Sequence, residues 1–100
     1  MANEYKAEVD IIIKGKNYVM RPTFNALCEI EKSLGKSIIT LLIKFDERGI
    51  MLKELLFIIR AGLKAAQQKI PKDLEQSLYT QGYATILPII CQFLKNGLNL

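Results

Sequence analysis

No histidine occurs in the chain, which removes the commonest general base and the commonest metal ligand. A phosphate-binding glycine loop is also missing. The two cysteines, Cys28 and Cys91, stand far apart among apolar neighbours, without the CxxC spacing of a zinc or redox site. These absences predict a non-enzymatic protein with no catalytic, cofactor-binding or metal-binding residues, and buried reduced thiols at Cys28 and Cys91. Long apolar runs are lacking too: the longest, "YATILPIICQFL", has 12 residues and is interrupted by a proline, against the ~20 needed to cross a bilayer. The opening "MANEYKAEVD" is mixed in charge and has no apolar signal-peptide core. Together they predict a cytoplasmic protein with no membrane partner. There is no linker rich in serine or glycine, no repeat and no low-complexity tract, so residues 1–100 read as one domain.

What the chain does have is apolar surface. Half of its 100 residues are hydrophobic, whereas at this size only about 60 to 70% of the unfolded chain's surface can be buried. Some apolar area is therefore left for another subunit or a partner. The net charge of +4 is modest.

Apolar residues alternate at Tyr5, Ala7, Val9, Ile11 and Ile13, with Lys6, Glu8, Asp10 and Ile12 on the opposite face, the pattern of a half-buried strand. "KGKN" follows, and Gly15 and Lys16 as the central pair of a type II′ turn pair Ile13 with Tyr18 and Ile11 with Met20. Pro22 ends strand pairing and keeps Arg21 extended, Thr23 caps a helix from Phe24, and Gly35 stops that helix. Further helices are expected from Ser37 to about Arg48, about Met51 to Gln68, about Lys72 to Thr80, and from near Thr85, with Pro88 in the first turn of the last. The fold class is α+β: a hairpin over residues 1–22 packed on a bundle of about four to five α-helices over residues 23–100.

Three helix faces invite a functional reading. In the first helix Phe24, Ala26, Leu27, Cys28, Ile30 and Leu34 form an apolar arc that also takes in Glu31, which predicts an ion pair of Glu31 with Arg21 or Arg60. In the long helix Leu52, Leu55, Leu56, Ile59, Gly62, Leu63 and Ala66 face the core. Phe57 falls opposite, among Lys53, Arg60, Lys64 and Gln68. That face suits a protein partner at Phe57, or nucleic acid, or a neighbouring helix covering the ring, and the small net charge disfavours nucleic acid. In the last helix the apolar arc is about 200° wide, roughly twice what one core requires. Ile90 and Leu94 lie in its middle and belong to the fold. Ile89 and Phe93 lie beside the polar stripe and are expected to face a partner or another copy of the chain.

"RPTFNALCEIE" after a short hairpin, "RAGL" on a long helix and a closing "LEQSLYTQGYATILPIICQFL" resemble the tail assembly chaperone family of gene transfer agents and related tailed phages and prophages. The matching positions are Arg21, Pro22, Thr23, Phe24, Ala26, Leu27, Glu29, Ile30 and Glu31, then Arg60, Ala61, Gly62 and Leu63, with Gly82 and Pro88 later. The resemblance implies a small non-enzymatic protein in the bacterial host cytoplasm. Its implied partners are the tape-measure protein, which it keeps in solution, and the tail tube protein. It defines no site residues. A minor structural tail component and a small DNA-proximal binding protein are the alternatives.

Overall fold

The computed structural model describes Asn3 and residues 6–100. The order of elements is β1 (Val9–Ile13), β2 (Lys16–Met20), α1 (Phe24–Leu34), α2 (Ile38–Glu47), α3 (Leu52–Ala65), α4 (Leu74–Gln81) and α5 (Tyr83–Gly97). The expected α+β architecture, a hairpin followed by five helices, is what the chain adopts. β1 packs on α4 and α5, β2 on α3, and α1 on α2, α3 and α5. One apolar cluster draws on every element: Ile11, Ile13, Met20, Leu27, Ile30, Ile38, Leu41, Leu55, Ile58, Ile59, Leu63, Leu74, Leu78, Ile86, Ile90, Phe93 and Leu94 are all buried in it.

The hairpin differs from the expected one in its turn. Lys14 and Gly15 are the central residues, at φ 55° and 75°, and positive φ at both is the type I′ geometry, whose twist matches that of the strands. The register therefore pairs Ile13 with Lys16, Ile11 with Tyr18 and Val9 with Met20. The slip from the expected pairing is two residues, and since side chains alternate with period two, the same residues still face the core. β1 begins at Val9 because Ala7 turns the chain at φ 59°; Tyr5 lies outside the described residues.

The strand-to-helix corner forms as its residues dictate. Thr23 is extended and its hydroxyl accepts from the Ala26 amide at 3.1 Å. Pro22 is buried, and a Cβ on Gly97 would meet Pro22 and Leu27 at 3.1 and 2.8 Å, so the corner is seated against the end of α5. Three helix ends depart from expectation, the first being α4, which starts at Leu74 rather than about Lys72. α3 stops at Ala65, before Pro71, because Gln67 takes a left-handed conformation and the Gln67 and Gln68 amides bond back to Lys64 and Leu63. α5 starts two residues before Thr85, placing Pro88 in the second turn rather than the first.

Phe93 is the largest correction. Its side chain is fully buried, packed on Gly62 of α3, where an added Cβ would lie 2.9 Å from the ring and 2.8 Å from the Cβ of Met20. It belongs to the core and does not face a partner. Ile89 is partly buried against the same cluster. The wide arc of α5 arises because this helix touches β1, α1, α2, α3 and α4 at once. Ile90 and Leu94 are buried as expected.

Phe93→Ala should therefore destabilise by ~3 to 5 kcal/mol. In Gly62→Ala the gain in helix propensity, about 1 kcal/mol, opposes a Cβ–Cβ clash that no side-chain rotation relieves. We expect a net loss of ~1 to 3 kcal/mol in urea unfolding; a Gly62→Ala protein more stable than the parent would show that the contact yields.

Candidate functional site

A concave surface lies between the first turns of α3, the middle of α4 and the start of α5. Leu52, Leu55, Leu56, Leu78, Tyr79, Tyr83 and Ile86 line it, with Lys53 and Glu75 as its charged members, and it encloses about 500 Å³. The size is that of a ligand or peptide site, and the lining is almost wholly apolar. Leu52 is 66% and Tyr79 81% exposed, so the floor is core and the rims are apolar side chains standing in solvent.

Three polar tethers hold the walls. The Tyr83 hydroxyl donates to the Ile50 carbonyl at 2.7 Å and accepts from the Ile50 amide at 2.8 Å, fixing the start of α5 to the loop before α3. Gly49 makes room for it, since a Cβ there would lie 2.7 Å from the same oxygen. Arg60 donates to Glu75 at 3.0 Å, joining α3 to α4. The third tether is Glu54, buried on the α3 face turned toward α2. It accepts from the Met51 amide at 3.0 Å, is paired with Lys36, and has Lys44 at 3.9 Å. Burial pushes the Glu54 carboxyl up, but the bond from Lys36, the Met51 amide and the charges of Lys36 and Lys44 outweigh it and hold the group below the ordinary range.

The residues singled out in the sequence are not gathered here. Glu31 is exposed, and its carboxylate accepts from the Ile38 amide at 2.9 Å, bridging α1 to α2. The expected pair with Arg21 or Arg60 does not form. Arg21 pairs with Glu8 at 2.7 Å and Arg60 with Glu75. The reason is that α1 seats Ala26, Leu27 and Ile30 and leaves the edge bearing Phe24, Cys28 and Glu31 outward, so Cys28 is exposed rather than buried. Phe57 is partly buried against the core, and Gln68, from the same face, is bonded to the Val19 amide at 3.2 Å. Neither Phe57, Ile89 nor Phe93 lines the groove. Leu52 and Leu56 read in the sequence as part of the apolar arc of α3, while nothing there marks Tyr79 as a rim.

Among the described residues no group of three or more histidine, cysteine, aspartate or glutamate side chains could hold a metal ion. No helix there is long and apolar enough to cross a membrane.

A family model described as phage tail tube protein, GTA-gp10, matches residues 6–99. The chain belongs to that family. A tail-related structural or assembly role follows, as the resemblance of the "RPTF", "RAGL" and C-terminal segments implied. No curated protein and no solved structure matches the chain. For a member of a tail family, contact with other tail proteins is the relevant chemistry.

The Glu54 tether makes the groove wall sensitive to acid. A carboxyl depressed in the folded state contributes stability that is complete above its unfolded pKa of about 4.3 and is lost as pH falls through the lower folded value. Glu54→Gln should be less stable than the parent at neutral pH. The gap should narrow between about pH 5 and pH 3, read from urea midpoints at each pH. A gap constant across that range would remove Glu54 as the titrating tether. Glu8, whose carboxyl burial also pushes up but Arg21 and the Asn3 amide hold down, titrates in both proteins and cancels.

Proposed function

We propose that this protein is a non-enzymatic tail assembly chaperone, which holds an apolar helical segment of the tape-measure protein in the α3–α4–α5 groove within the host cytoplasm before the tail tube closes around it. The observation that carries the reading is the groove itself. Leu52, Tyr79 and, in part, Leu56 present apolar surface that the chain's own helices leave uncovered, in a family tied to tails. A tape-measure protein is long, helical and apolar, and the groove offers the i, i+3, i+4, i+7 type of anchoring site that such a helix uses. The mechanism is reversible burial: the groove removes part of the client's apolar stripe from water, and no covalent step is required.

A second reading, a minor structural component of the tail, is favoured by the family's description as a tail tube protein. The DNA-proximal reading has less support, since Phe57 is packed on the core and Arg60 is paired.

Co-expression with the tape-measure protein tests the proposal. Leu52→Asp and Tyr79→Asp replace exposed residues and should change stability by no more than about 0.5 kcal/mol, yet should send the tape-measure protein into the insoluble fraction. Retention equal to the parent's in both variants would overturn the chaperone reading. Recovery of this protein in fixed ratio to tail tube subunits in purified particles would support the structural one.

A further inference from the structure

The two charged residues that line the groove are not equivalent. Glu75, on α4, is already engaged by Arg60. Lys53, on the α3 rim, makes no ion pair among the described residues. Its neighbour Glu54 points to the other side of the helix, where Lys36 and Lys44 hold it. The groove thus presents one uncommitted positive charge beside a nearly continuous apolar lining, and the local balance of Lys53, Arg60 and Glu75 is cationic.

Resting on the chaperone reading, we infer that the groove selects among apolar helices by charge: its occupant is an amphipathic helix of the tape-measure protein whose apolar stripe is flanked by carboxylates on the side that meets Lys53. The volume of about 500 Å³ suits roughly three large side chains from two turns of such a stripe. A helix with lysine or arginine on that flank would set like charges together at the edge of an apolar surface, where repulsion is less screened than in open water. Apolar contact supplies most of the affinity. Lys53 sets orientation, because a helix reversed in the groove carries its acidic flank to the opposite rim.

Two synthetic helical peptides with one apolar stripe, flanked on that side by glutamate in the first and lysine in the second, are titrated against the parent protein, Lys53→Met and Lys53→Glu. The parent should bind the acidic peptide about threefold tighter, the size of one exposed ion pair. Lys53→Met should lose the preference and Lys53→Glu should reverse it, with both effects shrinking in high salt. Equal binding of the two peptides by the parent, or a preference that survives Lys53→Glu, overturns the inference. So does dimerisation of the parent that Leu52→Asp abolishes, since the occupant would then be a second copy. The chaperone reading fails separately: if the peptides sort as expected but tape-measure retention ignores both Leu52→Asp and Tyr79→Asp, charge selection stands and the client assignment falls.

Discussion

Gly62 is the point at which three parts of the molecule meet with no side chain between them. Its missing Cβ admits both the ring of Phe93 from α5 and the side chain of Met20 from β2. Its carbonyl accepts from the Arg21 amide at 3.0 Å, in the chain immediately after the strand. A two-stranded hairpin is marginal alone, and here the Arg21 backbone bond and the Met20 side chain both anchor it to α3 at Gly62. Burial of Phe93 follows from the same contact, so the position of α5 relative to α3 is set at this residue. The other end of α3 has no such close approach. There Leu55 is buried while Leu52 and Leu56 are covered only in part, and the space beside them is the groove.

The hairpin's edges are closed by side chains. Gln81 donates to the Ile12 carbonyl at 2.7 Å and accepts from the Lys14 amide at 3.1 Å, imitating a paired strand along β1. Gln68 accepts from the Val19 amide along β2, and Lys14 pairs with Asp73 at the start of α4. Bare strand edges template association with other chains. The bonds made by Gln81 and Gln68 occupy backbone groups that an added strand would otherwise pair with.

Much of the fold was legible in the sequence because it is written in local rules. Thr23 and Ser37 cap helices, and Gly35 and Gly49 stop them, as the residue types require. The turn was misassigned because Gly15 fits either central position, and only Lys14's positive φ decides between them. The interaction residues were harder to read. A helical wheel ranks Phe93 as an edge residue, but whether an edge is covered depends on which neighbours arrive, and α5 has five of them. Glu31 was assigned to the core by the same reasoning and lies outside it because α1 seats only Ala26, Leu27 and Ile30. The groove was invisible because it belongs to no single element: its walls come from α3, α4 and α5, and no one periodicity reports on such a meeting.

The tethers that shape the groove use none of its apolar surface. Glu54 works from the back of α3, Tyr83 directs its hydroxyl to Ile50, and the Arg60–Glu75 pair joins α3 to α4. The walls are thus positioned by polar contacts that do not depend on what fills the space between them. A groove fixed in this way would bind a partner without paying the ordering entropy that mobile walls impose. Its rims, Leu52 and Tyr79, stand in solvent among the described residues. The proposed holding of a client would draw on that fixed shape.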